Sequence, residues 1–245
     1  MKWYDARVGA PILVVTTISP DRMTCNDVEL LAPLIVVPRF AEMKRALVGL
    51  GRVRTLALTS GHAVDALVGA LYATGHDVRA LFGIRIAVVG EGTAERLQRH
   101  GLRADLVATG GGADLAREIV AAGFDGTVLY PRALEGRPEL GDALRAAGLP
   151  VEVVHAYETH PDAPAIKAAL LRHHAAPYAA VGFTSPRGAA AVLDVFGDRL
   201  GACTIGAIGE TTRAALVEAG LRNVLVPDVP SVVGLVEVLR AALGS

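Results

Sequence analysis

Short apolar runs alternate along the chain with segments of helical periodicity. Each run is continuously apolar, which is typical of parallel strands that are buried on both faces of a sheet. The runs are ILVVTT (12–17), LIVVP (34–38), TLALTS (55–60), IAVVG (86–90), DLVAT (105–109), TVLYP (127–131), VEVVHAY (151–157), AVGFTS (180–185), CTIGAIG (203–209) and NVLVP (223–227). Strands that alternate with helices predict an α/β protein with parallel sheets.

Between these runs, apolar residues recur at the i, i+3, i+4, i+7 spacing of an amphipathic helix. The stripes are Val64, Leu67, Val68 and Leu71; Ala189, Val192, Leu193 and Phe196; and Val232, Leu235, Val236 and Leu239. A further predicted helix carries Leu140 and Leu144 and ends at Gly148, since glycine readily adopts the backbone conformation that closes a helix.

The chain contains an internal repeat, because residues 88–102 align with residues 207–221 at a constant offset. The matching positions are Gly90/Gly209, Glu91/Glu210, Thr93/Thr212, Leu97/Leu216, Gly101/Gly220 and Leu102/Leu221. Upstream of each copy, a predicted strand ends in Thr-Ser, at Thr59-Ser60 and at Thr184-Ser185. Two similarly folded units explain such a repeat.

Two proline-containing segments are candidate crossings between the units: Pro38-Arg39 and the stretch 158–164. If both are crossings, the chain begins one domain, builds a second and returns to finish the first. We therefore expect two doubly wound parallel-sheet α/β domains of similar topology, joined by a two-segment linker. The first is discontinuous (1–38 plus 159–245), the second spans 39–158, and each holds five strands.

Composition narrows the function classes. The 245 residues are 52% hydrophobic and carry a formal net charge of −1, so the chain can form a core and lacks the basic excess of a nucleic-acid-binding protein. Cys25 and Cys203 lie far apart with no metal-ligand spacing, which favours a reducing compartment. The sequence shows no signal peptide and no apolar run long enough for a membrane span. We expect a cytoplasmic protein with no metal, no membrane contact and no nucleic-acid partner.

In open parallel sheets, ligands bind beyond the carboxyl ends of the strands. Most residues at the predicted strand ends are small or hydroxylated and precede helices, whose N-termini attract carboxylates or phosphates. They are Ser60 with His62, Gly90 to Thr93, Thr109 to Gly112, Arg132, Tyr157, Ser185 with Arg187, and Gly209 to Thr212. The same hydroxyls are also typical of ordinary helix caps. GEGTAE (90–95) is a weak dinucleotide fingerprint, because Glu95 replaces the third glycine.

The ordered motifs resemble those of the uroporphyrinogen-III synthase family. They are the paired Thr-Ser and G-x-x-T segments, LYPRALEGRPELGDALRAAGLPVEVVHAYETH (129–160), FTSPRGAAAVL (183–193) and IGETTRAALVEAGL (208–221). The similarity extends from about Thr55 to the C-terminus. It implies two doubly wound α/β domains joined by a two-stranded linker, with the first domain split between the chain ends.

The resemblance implies a cofactor-free lyase that is a monomer and converts hydroxymethylbilane, a linear tetrapyrrole with an acetate and a propionate on each ring. Loss of the terminal hydroxyl, attack by ring D through its substituted carbon and a spiro intermediate would close the macrocycle with ring D inverted. The tyrosine implied to act on the leaving hydroxyl is Tyr157, and domain closure would fix which carbon attacks. The implied substrate-binding residues are Thr59, Ser60, Thr93, Arg132, Arg137, Thr184, Ser185, Arg187, Gly209 and Thr212.

Two departures from the family pattern keep other functions open. The N-terminal segment has no arginine after its first strand and little room for a helix, and Glu91 and Glu210 stand beside the proposed anion-binding turns. A relative that is non-catalytic or repurposed to bind another acidic small molecule would fit these departures. A two-domain binding protein whose closure is the signal would fit the split layout equally well. A nicotinamide enzyme ranks last.

Overall fold

The computed structural model describes residues 11–16 and 27–244. The strands are β1 (Ile12–Val15), β2 (Val28–Leu31), β3 (Leu34–Pro38), β4 (Val53–Leu58), β5 (Arg85–Val89), β6 (Leu106–Ala108), β7 (Thr127–Ala133), β8 (Val151–Pro161), β9 (Ala180–Phe183) and β10 (Thr204–Ala207). The helices are α1 (Phe40–Val48), α2 (Gly61–Ala73), α3 (Glu91–Arg99), α4 (Gly112–Ala121), α5 (Glu139–Ala146), α6 (Ala163–Ala175), α7 (Pro186–Phe196), α8 (Glu210–Glu218) and α9 (Val232–Ala242). The strands and helices alternate as the α/β pattern predicts.

The chain divides into two compact units. Unit 1 is Met1–Ile35 with His160–Ser245, and unit 2 is Val36–Thr159. Each copy of the repeat forms a strand, a helix, a strand and a helix: β4-α2-β5-α3 in unit 2 and β9-α7-β10-α8 in unit 1. That these units are separate domains, with the boundaries 38/39 and 158/159 expected from the sequence, stays a prediction.

Unit 2 is built on a six-stranded sheet of order β3-β8-β7-β4-β5-β6. The pairs β8-β7, β7-β4, β4-β5 and β5-β6 are parallel. At the β3-β8 edge, Asp162 N donates to Pro33 O and Arg39 N donates to Ala156 O, so these two strands run antiparallel. Its strands β4 to β8 begin within the expected range 39–158, and β3 joins them from the first candidate crossing segment.

Unit 1 contains a four-stranded parallel sheet of order β10-β9-β1-β2. Its strand β2 is formed by the VELL segment, which is not among the runs predicted as strands. One sequence expectation fails in this unit. NVLVP (223–227) forms only an isolated bridge between Leu225 and Gly206, because Asn223 has a positive φ of 54° and Pro227 ends the segment.

Strands β1, β4 and β9 are buried on both faces, as their continuous apolar runs predict, whereas β3, at the edge of its sheet, is partly exposed. On β1, Leu13 and Val15 belong to one apolar cluster, while Ile12 and Val14 belong to the cluster on the opposite face. Likewise, the side chains of β4 alternate between two clusters in unit 2. Among the described helices, none is long and apolar enough to cross a bilayer.

Helix α9 packs closely on unit 1's sheet at a pair of glycines. Gly182 and Gly206 are register partners on β9 and β10. A Cβ atom at Gly206 would lie 2.8 Å from Leu235 and 3.0 Å from Leu239, both on α9. The absence of side chains on these neighbouring residues therefore allows the two leucines to contact the strands directly.

Replacing Gly206 with valine should force α9 away from the sheet and lower the free energy of unfolding by about 1–3 kcal/mol, the usual cost of overpacking a filled core. Urea unfolding followed by circular dichroism would measure it. The matched control is Gly51→Val, because a Cβ atom there meets nothing within 4 Å, and its effect should stay within about 0.5 kcal/mol. Equal effects for the two variants would contradict the close packing of α9.

Candidate active site

A cavity of about 340 Å³ opens at the carboxyl edge of the sheet in unit 2. It lies where the chain reverses direction across the sheet, since β5 and β6 lie on one side of β4 and β7 lies on the other. Such switch points are the usual ligand sites of open α/β sheets. The lining residues are Thr59, Ser60, Val89, Gly111, Gly112, Tyr130, Arg132, Ala133, Gly136, Arg137, Glu139, Leu140 and Tyr157.

Tyr157 and Ser60 are joined inside this cavity. The Tyr157 hydroxyl lies 2.8 Å from Ser60 Oγ, and the tyrosine side chain is only 7% exposed. Ser60 is the N-cap of α2 and accepts a hydrogen bond from Ala63 N at 3.2 Å. The ring of His62 contacts the Tyr157 ring edge-on, with centroids 5.7 Å apart. The phenol is therefore held beside the N-terminus of a helix.

A β-bulge between β7 and β8 determines where Tyr157 lies. Arg132 pairs with His155, but the next residue, Ala133, pairs with Tyr157, so Ala156 is the extra residue on β8. Bulges of this kind change the direction of a side chain beside the irregularity and often lie next to active sites. The bulge therefore brings Tyr157 to the end of β7, where it shares the cavity with Arg132.

Arg132 is a fixed cation in the cavity wall. Its Nη1 donates to the carbonyl oxygen of Gly136, which ties down the turn that follows β7. Its Nε is buried and has no hydrogen-bond partner among the described residues, an arrangement that is costly unless a ligand completes it. Arg137 is different, because its side chain is 75% exposed and lies 3.9 Å from Glu139 Oε1.

Burial shifts two titratable groups at the site. It lowers the pKa of His62, a change that Asp65 opposes and Arg96 reinforces, so the imidazole is mostly neutral at pH 7. It also raises the pKa of Tyr130, while a hydrogen bond with Thr59 and the charge of Arg132 act against the rise. Both groups are therefore uncharged at neutral pH, and arginine supplies the positive charge of the cavity wall.

Unit 1 has its own set of predicted binding residues at its sheet edge. Thr184 and Ser185 follow β9, and Gly209 follows the neighbouring β10. Ser185 caps α7 by accepting from Gly188 N at 3.1 Å, while the buried hydroxyl of Thr184 has no partner among the described residues. Thr212 is buried in α8, and Arg187 is exposed on α7.

The structure of unit 2 brings together Thr59, Ser60, Arg132, Arg137 and Tyr157 of the predicted set. Thr93 is buried in the first turn of α3 and does not line the cavity. Sequence reasoning assigned no role to Tyr130, Gly136 or Glu139, although they lie within the quoted motif 129–160. These three residues line the cavity together with residues from other strands. A local sequence pattern does not show which strands will lie next to each other.

The two glutamates beside the proposed anion-binding turns are the first residues of α3 and α8. Glu210 forms an ion pair with Arg213 at 2.7 Å, and Glu91 is exposed on α3. The part of the chain described here has no group of three or more His, Cys, Asp or Glu side chains that could hold a metal ion. The altered N-terminal segment lies largely in residues 1–10 and 17–26, outside the described residues.

Comparison with known proteins places the chain in a family. A search of curated proteins found no match. The structure is similar to uroporphyrinogen-III synthetase from Helicobacter pylori 26695 (TM-score 0.70, 22% identity, 96% of this chain and 99% of the other). It is also similar to a mutant uroporphyrinogen III synthase from the extremely thermophilic bacterium Thermus thermophilus (TM-score 0.59, 19% identity, 96% and 99%). These likenesses show the fold. The family model described as uroporphyrinogen-III synthase HemD matches residues 28–237, so the chain belongs to the uroporphyrinogen-III synthase family.

Proposed function

We propose that this chain is a uroporphyrinogen-III synthase, a cyclising lyase that converts hydroxymethylbilane to uroporphyrinogen III. Family membership over residues 28–237 supports the reaction. The observation that carries the assignment is the cavity of unit 2, in which a buried tyrosine hydroxyl and an arginine with an unused donor line the same wall. The substrate carries a leaving hydroxyl, on which the tyrosine can act, and carboxylates, which the arginine can bind.

Arg132 is our main candidate for a substrate carboxylate ligand. Its buried Nε–H is an unused donor, and hydrogen bonds between guanidinium and carboxylate groups are among the strongest in proteins. The N-terminus of α4 at Gly111 and Gly112 lines the same cavity and adds partial positive charge. We also keep Thr59, Thr93 and Arg137 in unit 2, and Thr184, Ser185, Arg187, Gly209 and Thr212 in unit 1, as proposed binding residues.

Tyr157 is our candidate acid for the first step. Its phenol would donate a proton to the terminal hydroxyl of the substrate, the C–O bond would break with its electron pair, and water would leave. The resulting cation would be attacked by the substituted carbon of ring D to give the spiro intermediate, and rearrangement would close the macrocycle with ring D inverted. Ring D would lose its C–H proton as it regains aromaticity, and this proton would restore the phenol of Tyr157. A free phenol is a weak acid at neutral pH, so the surroundings of Tyr157 matter.

Other features of the enzyme follow as proposals. We propose that no cofactor takes part, because the leaving group departs with its own electron pair and no redox change is needed. The balanced charge of the chain favours a small-molecule substrate over nucleic acid. We further propose a monomer that acts in the cytoplasm, with domains 1–38 plus 159–245 and 39–158.

A coupled assay tests the function. Hydroxymethylbilane is generated in situ, the protein is added, and the oxidised uroporphyrin isomers are separated chromatographically. Dominance of isomer III over the isomer I that forms spontaneously is the expected result. If a folded preparation gives only isomer I, the synthase assignment fails, and a relative that binds another acidic small molecule becomes the better explanation.

Replacing Arg132 with methionine should raise KM about 10- to 100-fold, because one charge-assisted hydrogen bond contributes about 1.5–3 kcal/mol. Methionine keeps most of the side-chain volume and removes the charge. The matched control is Arg79→Met, since Arg79 is 89% exposed and pairs only with Asp77 among the contacts seen in the structure. KM is measured from the steady-state rate of isomer III formation. An unchanged KM in the Arg132 variant would show that Arg132 does not bind the substrate.

A further inference from the structure

The hydroxyl of Ser60 is already engaged by groups of the protein. A serine hydroxyl has one hydrogen to donate and two lone pairs to accept with. One lone pair accepts the N–H of Ala63 at 3.2 Å, and the phenol oxygen of Tyr157 lies 2.8 Å away. The resemblance implies that Ser60 binds substrate, but if its hydrogen points to Tyr157, only one lone pair remains, and a lone pair cannot donate to a substrate carboxylate.

The position of Ser60 also indicates the direction of its bond to Tyr157. At a helix N-cap, the side-chain oxygen turns its lone pairs towards the backbone N–H groups of the first turn, so its hydrogen points away from the helix. The Tyr157 oxygen lies 2.8 Å from Ser60 Oγ, and in the neutral pair either hydroxyl can be the donor. If Tyr157 gives up its proton, only Ser60 can be the donor in this pair, and a bond to a charged oxygen is stronger than a bond between neutral groups.

We propose that Ser60 is a positioning residue that acts through Tyr157: it donates its hydroxyl to the phenol oxygen and stabilises the phenolate that forms when Tyr157 protonates the leaving group. The proposal rests on the function proposed above for its catalytic consequence. The thirteen-residue helix α2 adds to the effect, because its N-terminus carries partial positive charge beside the same oxygen. Such an interaction strengthens as the proton is transferred, so it should act on kcat rather than on KM.

Several other groups could influence the charge of the phenol. Among the described residues, those that contact Tyr157, line its cavity or adjoin it on β8 include His62, Tyr130, Arg132, Arg137, Glu139 and Glu158. Changing Ser60 alters none of their charges, so a titration of Tyr157 in a Ser60 variant isolates the hydrogen bond.

The test compares Ser60→Ala, Ser60→Thr and Ser231→Ala. Ser231 is the matched control, because it caps α9 through a bond from Gly234 N of 2.9 Å and its loss reproduces the cost of an uncapped helix alone. Tyrosine labelled with ¹³C at Cζ reports the titration of each phenol by NMR, and the signal that is absent in Tyr157→Phe identifies Tyr157. Steady-state kinetics of isomer III formation give kcat and KM.

We expect Ser60→Ala to lower kcat about 10-fold with KM unchanged and to move the Tyr157 titration to higher pH. Ser60→Thr should restore both properties, and Ser231→Ala should leave both as in the parent protein. A raised KM with unchanged kcat would make Ser60 a substrate ligand and overturn the proposal, as would an unshifted titration. The NMR measurement needs no turnover, so it tests the hydrogen bond even if the protein forms no isomer III, in which case the function fails separately.

Discussion

Replacing Tyr157 with phenylalanine is expected to lower kcat for isomer III formation about 10²-fold, which is the lower end of the range for loss of a general acid. The ring stays buried against His62 and only the hydroxyl is lost, so the fold should be kept. The rate is measured in the coupled assay, where the spontaneous formation of isomer I serves as an internal reference. A lower fraction of isomer III is the direct readout.

Tyr72→Phe is the matched control for this experiment. Tyr72 lies on α2 of the same unit, and its side chain is 60% exposed. Loss of its hydroxyl should leave kcat, KM and the isomer ratio unchanged. If kcat of the Tyr157 variant equals that of the parent protein, Tyr157 has no part in proton transfer and the role of Ser60 proposed above loses its catalytic meaning.

Replacing Phe183 with alanine should lower the free energy of unfolding by about 3–5 kcal/mol, the usual cost of removing a large aromatic side chain from a filled core. Phe183 is fully buried at the end of β9, within the larger apolar cluster of unit 1. Because β9 lies between β1 and β10, a cavity there weakens the packing of the central part of the sheet. The midpoint of urea unfolding measures the effect.

Phe82→Ala provides the same chemical change at a surface position, since Phe82 is 95% exposed. Its effect should stay within about 0.5 kcal/mol. A comparable loss of stability in the two variants would contradict the burial of Phe183. Retained stability in Phe183→Ala would mean that the β9 cluster is not a filled core.

Local patterns predicted the parallel α/β class and most elements. The stripe Val64, Leu67, Val68 and Leu71 forms the buried face of α2, because a 3.6-residue period repeats within a few turns and needs no distant partner. The strand prediction for NVLVP is wrong, and the strand VELL was not predicted, for the opposite reason. The propensity of a short run is too weak to decide whether it pairs, and the outcome depends on the strand beside it.

The candidate site was predicted only in part, for a related physical reason. Tyr157, Ser60 and Arg132 come from β8, the end of β4 and β7, and their proximity follows from the strand order β8-β7-β4. The bulge at Ala156 is a property of the β7-β8 pair, so the sequence of β8 alone contains no sign of it. The unpartnered Nε of Arg132 likewise exists only in the folded environment.

The pairing of β1 with β9 has a consequence for how the protein is made. Ile12 lies opposite Ala180 in this sheet, so a nascent chain must extend through all of unit 2 before β1 meets this partner. At ~5–20 residues per second, translation takes roughly 10 to 30 seconds to cover that distance. Throughout this interval, the edge of β1 (ILVV) that pairs with β9 has no partner. The segment of unit 2 emerges from the ribosome during the same time. Exposed apolar edges of this kind promote aggregation, so the yield of folded protein should depend on protection of this N-terminal strand during synthesis.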